Sequence, residues 1–279
     1  MKYTNSTDVS SDFHKICITR TASTILYLLG VSPLPKADAP IEEVLCKAAE
    51  RFSPLPGQAP CDRIFLYNPD AVAMWIYEKY AGYFTEMEKC TDLRLPMLSV
   101  VPPVTPVCFG SMYSGLQPAQ HGILKYEKPV LQVATIFDVL AKAGKKTAIV
   151  STEGDSISRI FLERDMDYYI YPKKEACNQK ALELTAQDRY DCIVLYNGDY
   201  DYHMHRHSPE GKRAFRALRE NIATFQEMHA AIQAHWSAHR TALVFAPDHG
   251  CHRVWGFLGS HGINRPCDMN IPHFYSFIG

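Results

Sequence analysis

The sequence predicts an α/β fold with a mostly parallel central sheet, helices on both faces and a small helical extension at the N-terminus. Two patterns predict it. From residue 61 onward, apolar runs of strand length alternate with segments in which apolar residues recur at helical spacing, as in βαβ units. Several of these runs also end in side chains that bind metals, and open parallel sheets bind ligands at the carboxyl ends of their strands.

The predicted elements follow in chain order. Residues 1–60 differ from the rest, because helical patterns at 21–29 and 41–52 lie among prolines and predict a helical extension packed on the core. Residues 61–279 form the predicted main domain. Its predicted strands are 63–67, 95–101, 146–150, 191–196 and 241–245. Its predicted helices are 71–83, 107–114, 133–143, 174–186 and 209–235.

Composition argues against several classes of protein. Lys and Arg number 29 and Asp and Glu number 30, and the net charge of -1 argues against binding a nucleic acid polymer. No apolar run reaches the ~18 residues of a membrane helix, and residues 1–11 contain no apolar signal core. We therefore expect a cytoplasmic protein that does not bind membranes. No glycine-rich phosphate loop supports an ATPase or a dehydrogenase.

The cysteines point to the same compartment. The chain has nine, and none forms a Cys-x-x-Cys pair, so a cysteine-rich zinc knuckle is not expected. We interpret most of them as reduced thiols, which suits a reducing compartment. The sequence predicts no oligomeric state.

Candidate metal ligands and a hydroxyl follow four of the apolar runs. Listed in the order of those runs, they are Asp70, Thr105, the pair Asp201 and His205, and the group Asp248, His249 and His261. Carboxylate oxygens and imidazole nitrogens suit zinc or manganese, and a hydroxyl beside a metal can act as a nucleophile. Sites with two such metals stabilise the attacking and leaving oxygens in displacement at phosphorus.

Each position also has a simpler interpretation. Thr105 precedes a predicted helix, where Thr is a common N-cap. Asp70 and Asp248 stand in turns, where an aspartate often caps the next segment, and His261 fits an ordinary loop. Caps and loops alone, however, rarely place such residues at four strand ends of one chain.

The pair Asp201 and His205 is the least certain from residue type alone. It belongs to a stretch in which Asp199 and His203 have the same spacing, and the whole stretch also fits a solvated loop. Spacing by itself does not choose between the two pairs.

Three motifs in this order carry a family resemblance. Residues 105–123 contain Thr105, a helical segment and Ser-Gly-Leu-Gln-Pro-Ala-Gln-His-Gly-Ile. Residues 201–209 read Asp-Tyr-His-Met-His-Arg-His-Ser-Pro, and Asp-His-Gly at 248–250 is followed by Gly-Ser-His-Gly at 259–262. From residue 62 onward the chain resembles the type I phosphodiesterase/nucleotide pyrophosphatase family of the alkaline phosphatase superfamily. The register of the second motif selects Asp201 and His205.

The resemblance implies an alkaline phosphatase-like catalytic domain over residues 61–279 that binds two divalent metal ions, zinc first and manganese as the alternative. The implied ligand sets are Asp70, Thr105, Asp248 and His249 for one ion, and Asp201, His205 and His261 for the other. Thr105 is the implied nucleophile, and a phosphothreonine formed on it would be hydrolysed with net retention at phosphorus. His121 is implied to be structural.

Two residues depart from the family pattern. Cys108 stands three residues after the nucleophile, where an Asn that donates to a phosphate oxygen is expected, and a thiol is a weak donor. Met204 replaces the glycine of the second motif. Large insertions are also lacking, which predicts an open pocket. Tyr126 and Trp255 are candidates to stack on a substrate, whereas Phe109 fits the core.

The leading hypothesis is a metal-dependent phosphodiesterase or nucleotide pyrophosphatase that acts on a small phosphoryl substrate. A phosphomonoesterase or phosphonate hydrolase of the same superfamily is the alternative enzyme. A phosphomutase of that superfamily is disfavoured, because its nucleophile is usually Ser and it carries a large inserted cap. The alternative from another class is a metal-stabilised binding protein with little turnover.

Overall fold

The structure is a computed structural model that describes residues 12–279; the polar segment at 1–11 lies outside the described residues. Within 12–279 the strands are β1 Ile16–Cys17, β2 Arg63–Pro69, β3 Leu93–Leu98, β4 Thr147–Thr152, β5 Asp167–Tyr171, β6 Cys192–Asn197, β7 Thr241–Phe245, β8 His252–Val254, β9 Leu258–Ser260 and β10 Asn270–Ile278. The helices are α1 Arg20–Leu28, α2 Glu42–Phe52, α3 Met74–Lys79, α4 Thr85–Glu88, α5 Thr105–Ser114, α6 Pro118–His121, α7 Ile136–Lys142, α8 Ile157–Ile160, α9 Lys174–Gln187, α10 Asp199–His207, α11 Lys212–His235 and α12 Pro266–Met269. A 3₁₀ turn covers Ala81–Tyr83.

Eight of these strands form one sheet in the order β1-β3-β10-β7-β2-β6-β4-β5, and β8 and β9 form a separate hairpin. Strand β10 is antiparallel to both of its neighbours, β3 and β7. The other pairings in the large sheet are parallel. This arrangement confirms the predicted fold class of a mostly parallel sheet between helices.

The sheet buries both of its faces, because successive residues of a strand point to opposite sides. In β2, Ile64 and Leu66 belong to one apolar cluster, and Phe65 and Tyr67 belong to the other. The first cluster includes residues of α1, α2, α5 and α7, and the second includes residues of α3, α9 and α11. Between residues 12 and 279, no helix combines the length and apolarity needed to cross a membrane.

The described part of the predicted N-terminal extension contains both expected helices, α1 and α2. They pack on the main sheet: Ile25 of α1 and Val44 of α2 are buried in the same cluster as Ile64. The segment also contributes β1, which pairs in parallel with the outer side of β3. A domain boundary at residue 60 stays a prediction.

Candidate metal centre

The parallel strands bring the candidate residues to one edge of the sheet. Asp70 directly follows β2, and Asp248 comes three residues after β7, which pairs with β2. Asp201 lies in the first turn of α10, just after β6, the other neighbour of β2. Thr105 is the first residue of α5, on the connection that leaves β3.

The first cluster comprises Asp70, Asp248 and His249, whose possible ligand atoms all lie within 4.8 Å of one another. His249 Nε2 lies 3.3 Å from Asp70 Oδ1 and 3.5 Å from Asp248 Oδ2. Thr105 Oγ1 lies 3.4 Å from both Asp70 Oδ2 and His249 Nε2. All four side chains are buried, and the Thr105 hydroxyl faces this cluster.

The second cluster comprises Asp201, His205 and His261, which satisfy the same distance criterion. Asp201 Oδ1 lies 3.3 Å from His205 Nε2 and 3.5 Å from His261 Nε2. Asp201 and His205 are four residues apart on α10 and therefore share one face of that helix. The structure thus brings together the pair that the family register selects.

The two clusters adjoin each other through their histidines. The rings of His249 and His261 stack with centroids 4.0 Å apart and planes at 22°. His205 is next to His261, with centroids 4.9 Å apart. All seven predicted site residues therefore form one continuous group.

Hydrogen bonds to backbone carbonyls fix the tautomers of the three histidines. The Nδ1 atoms of His205, His249 and His261 lie 3.1, 2.9 and 2.9 Å from the carbonyl oxygens of Gly259, Gly250 and Pro103, respectively. A carbonyl oxygen can only accept, so each Nδ1 carries a hydrogen and each Nε2 of a neutral ring carries a lone pair. This is the arrangement in which histidine binds a metal through Nε2.

The aspartate oxygens that face these Nε2 atoms are also arranged as metal ligands would be. Asp70 Oδ1, Asp201 Oδ1 and Asp248 Oδ2 are buried and have no hydrogen-bond partner within residues 12–279. These oxygens are the ones that face the Nε2 atoms. Lone pairs that face each other in a buried site repel unless a cation lies between them. The residues present therefore fit two divalent metal ions.

The pKa shifts of the aspartates and histidines also favour a bound cation. Burial raises the pKa of Asp201 and of Asp248 well above the usual aspartate range, and the charge of Asp70 adds to both shifts. Burial lowers the pKa of His249, and burial together with His249 lowers the pKa of His261 to about 2. In the absence of a cation the site disfavours charge of either sign, so a divalent ion would stabilise the ionised carboxylates.

Two residues of α5 are not placed as their simplest roles require: Thr105 is not the N-cap, and Cys108 does not reach a phosphate. The N-cap of α5 is Val104, so Thr105 is the first helical residue and its hydroxyl faces the candidate ligands Asp70 and His249. Cys108 is fully buried, its sulfur lies 3.2 Å from Ser99 Oγ, and burial raises the pKa of its thiol well above the usual range. The thiol therefore does not replace the expected phosphate donor.

The other departure, Met204, is accommodated by a neighbouring glycine. Met204 is fully buried on α10, and a Cβ on Gly259 would lie 2.4 Å from its sulfur. The same Gly259 supplies the carbonyl that holds His205. His121 is nearly buried and hydrogen-bonds to Ser111 Oγ at 3.0 Å, apart from both clusters, as the structural role implied by the resemblance requires.

Sequence reasoning missed Tyr196, the last aromatic residue of β6. Its hydroxyl donates to Asp70 Oδ2, so Asp70 Oδ1 is the oxygen left facing Asp248 and His249. The signal was available, because Tyr196 stands at the carboxyl end of the strand next to Asp70. Asp155, after β4, was also missed; it lines the same pocket, and burial raises its pKa to about 6.

An open cavity of about 610 Å³ lies over Thr105 and both clusters. Tyr126 lines it, with the Lys128 amine 5.2 Å from the centre of its ring, and Arg206 lies 3.6 Å from the centre of the Tyr202 ring. Trp255 is 96% exposed and is not among the lining residues. Phe109 is buried in the core, as expected.

Solved structures with a similar fold were found at low sequence identity. Human ectonucleotide pyrophosphatase/phosphodiesterase 5 matches 69% of this chain and 58% of its own length, with 15% identity and a TM-score of 0.57. An inactive form of the murine protein in complex with AMP matches 70% and 58%, with 14% identity and a TM-score of 0.55. Phosphonoacetate hydrolase from Sinorhizobium meliloti in complex with phosphonoformate matches 68% and 57%, with 17% identity and a TM-score of 0.53.

The chain therefore spans less than two thirds of the length of these structures. They belong to the alkaline phosphatase superfamily, and the likeness confirms the predicted resemblance at the level of the fold. No family model and no curated protein sequence matches the chain.

Proposed function

We propose that the protein is a two-metal phosphodiesterase or nucleotide pyrophosphatase-like hydrolase of small phosphoryl substrates, with Thr105 as its nucleophile. One observation supports this most. Three carboxylate oxygens that have no hydrogen-bond partner among residues 12–279 lie opposite three imidazole Nε2 atoms at the carboxyl edge of the sheet, and the Thr105 hydroxyl lies against one of the two clusters. Proteins of similar fold were solved with AMP and with phosphonoformate, which are both small phosphorus compounds.

The proposed ligands divide by cluster. Asp70, Thr105, Asp248 and His249 would hold one ion, and Asp201, His205 and His261 would hold the other. Zinc is the proposed ion because it accepts imidazole and carboxylate together, and manganese is the alternative. When bound, the two ions supply positive charge that favours an ionised Thr105 and stabilises charge on the attacking and leaving oxygens.

In the proposed reaction, Thr105 is the nucleophile, Asp70 accepts its proton and water hydrolyses the intermediate. Thr105 Oγ1 attacks phosphorus, and its proton passes to Asp70 Oδ2, which lies 3.4 Å away. The bond from phosphorus to the leaving oxygen breaks, and that oxygen takes a proton from solvent. A water oxygen then bonds to phosphorus as the bond from phosphorus to Thr105 Oγ1 breaks, and a proton of that water restores the Thr105 hydroxyl. Asp70 returns its proton to solvent, and the phosphorylated product leaves.

A phosphomonoesterase or phosphonate hydrolase of the same superfamily is the second candidate. One observation favours it: a protein of similar fold is a phosphonoacetate hydrolase that was solved with phosphonoformate. The relative rates of phosphodiester and phosphomonoester hydrolysis separate the two candidates.

The test combines elemental analysis with hydrolysis of an aryl phosphodiester and an aryl phosphomonoester, each with and without a chelator. The proposal expects about two zinc ions per chain, faster cleavage of the diester and loss of activity on chelation. Thr105→Ala should lower kcat on the order of 10³-fold or more. Thr185→Ala is the matched control, because this buried hydroxyl donates to Ala181 O of its own helix and is not among the residues that line the cavity.

The outcomes separate the hypotheses. Faster cleavage of the monoester would favour the second candidate, and a Thr105→Ala variant as active as the wild type would refute the assignment of the nucleophile. Two bound metal ions without turnover of either ester would favour the binding protein. A cytoplasmic location, and the absence of membrane or nucleic acid partners, stay predictions.

A further inference from the structure

The short helix α12 lies between the two loops that carry candidate ligands. Its residue Asp268 is fully buried, and its two carboxylate oxygens bond to different loops. Oδ1 lies 2.7 Å from His252 Nδ1, and Oδ2 accepts from the Ile263 N–H at 3.0 Å. His252 comes three residues after His249, and Ile263 comes two residues after His261. One carboxylate therefore joins the loops of both clusters.

The backbone of α12 holds the first loop as well. The Gly250 N–H donates to Asp268 O at 2.7 Å, and the Cys251 N–H donates to Cys267 O at 3.1 Å. A Cβ on Gly250 would lie 2.3 Å from Cys267 O, so this close approach requires glycine. Gly250 O in turn accepts from His249 Nδ1. The peptide held by α12 is thus the one that orients the His249 ring.

The second loop is fixed on both sides of a glycine with positive φ. Gly262 has a φ of 105°, which residues with a Cβ rarely adopt. Before it, His261 Nδ1 donates to Pro103 O at 2.9 Å, and after it, the Ile263 N–H donates to Asp268. Pro103 O thus orients the His261 ring, and the Asp268 carboxylate fixes the backbone that follows it.

We propose that Asp268 is a positioning residue that holds the ligand loops of both metal sites in register, so that its loss weakens both metals together. This inference rests on the proposed function. Outer hydrogen-bond partners of metal ligands typically change metal affinity about 10- to 100-fold when they are removed. A single residue that serves both loops couples the two sites, because neither loop can shift without straining a bond to the same carboxylate.

The same place in the fold has a competing interpretation as a third metal site. His252, Cys267 and Asp268 offer ligand atoms within 4.8 Å of one another. The hydrogen bonds favour the positioning role, since both Asp268 oxygens are already occupied, one of them by His252 Nδ1. Burial, with Asp268 nearby, also raises the pKa of the Cys267 thiol to about 12, which opposes the thiolate that a metal needs.

The experiment compares wild type, Asp268→Ala and Cys267→Ser by chelator competition for bound zinc. Alanine has no side-chain acceptor, so it removes the bonds to both His252 and Ile263. We expect both zinc ions of Asp268→Ala to bind about 10- to 100-fold more weakly, while thermal unfolding of the metal-free protein shows that it still folds. Cys267→Ser keeps both carboxylate bonds and should bind two ions as the wild type does. Unchanged affinity in Asp268→Ala, or weakening of only one ion, would overturn the proposal.

A second readout needs no variant. In the wild type freed of metal, the Gly250 and Ile263 amides should stay protected from hydrogen exchange, because Asp268 holds them without help from the ions. Loss of that protection on chelation would overturn the positioning role, as would a third bound ion that Cys267→Ser removes. A wild type that binds no metal would refute the proposed function, and the exchange of these two amides would still test whether Asp268 holds both loops.

Discussion

Replacing Tyr196 by Phe removes one hydroxyl beside the proposed centre and little else. That hydroxyl donates to Asp70 Oδ2, while the ring packs edge-to-face on Phe109 with centroids 5.6 Å apart. Phe keeps this packing. The Asp70 carboxylate would lose the donor that turns Oδ1 towards His249, and its Oδ2 would keep only the Thr105 contact at 3.4 Å.

The magnitude follows from the kind of bond. A hydrogen bond to a charged group contributes about 1.5–3 kcal/mol. At about 1.4 kcal/mol for each factor of ten in rate, its loss predicts a fall in kcat of about 10- to 100-fold. We expect KM to change little, because Tyr196 lines the cavity with only a small exposed surface and its hydroxyl is turned to Asp70.

Steady-state hydrolysis of an aryl phosphodiester by the zinc-loaded protein measures the effect. Tyr190→Phe is the matched control: Tyr190 is 4% exposed, as is Tyr196, and its hydroxyl also donates to an aspartate, Asp167 on β5, away from the cavity. The control should lose stability and keep its kcat. A Tyr196→Phe variant with wild-type kcat, or an equal loss in Tyr190→Phe, would refute the reasoning.

Three further predictions concern stability. Chelation should lower Tm, because free metal at 100 times its Kd stabilises the folded state by about 2.7 kcal/mol per site, and an unchanged Tm would contradict bound ions. Burial lowers the pKa of His273 to about 4 from 6.5, so the unfolded state binds more protons between these values. Stability is then complete above pH 6.5 and falls by about 3 kcal/mol towards pH 4, and urea titrations should show a flatter slope for His273→Leu. Gly250→Ala would place a Cβ 2.3 Å from Cys267 O and should cost about 1–3 kcal/mol in thermal unfolding, whereas Gly82→Ala, with open space at its Cβ, should not.

Strands buried on both faces could be predicted from the sequence because they are continuous apolar runs. The prediction for β7 matches Thr241–Phe245 at both ends, and those for β2 and β6 agree to within two residues. Since the ends of these strands fix where Asp70, Asp201 and Asp248 lie, the grouping of the site residues could be predicted as well. The assignment of these residues as metal ligands stays a prediction.

Strand β10 could not be predicted in the same way, because Pro272 and His273 interrupt its apolar pattern. Proline is rare in central strands, since it has no N–H to donate. Here Pro272 pairs across the ladder with Pro96 of β3, so two residues without an N–H face each other. His273 donates from Nε2 to Pro247 O at 2.8 Å and is fully buried. The pairing of β10 with β3 and β7, which are distant in the sequence, stabilises the strand despite these two residues.

Helix α10 was missed for a different reason. Its nine residues include three histidines and two aspartates, and this polarity fits a solvated loop. In the structure, Tyr200 and Met204 lie four residues apart and are both buried against the core. Asp201 comes directly after Tyr200 and His205 directly after Met204, so this second pair lies on the adjacent face of the helix. Contacts with the core, which composition does not reveal, decide the helix.

The position of β10 also sets the order in which the centre forms. Strands β3 and β7, which lead to Thr105 and Asp248, are both hydrogen-bonded to β10 in the large sheet. On the ribosome both emerge first, and each lacks this neighbour until residues 270–278 leave the exit tunnel. Strands β7, β2 and β6 pair with one another without β10, so Asp70, Asp201 and Asp248 can already meet. Strand β3, and with it Thr105, is joined to this group only through β10 in the large sheet. The proposed hydrolytic activity would accordingly arise only in chains that have folded through this strand.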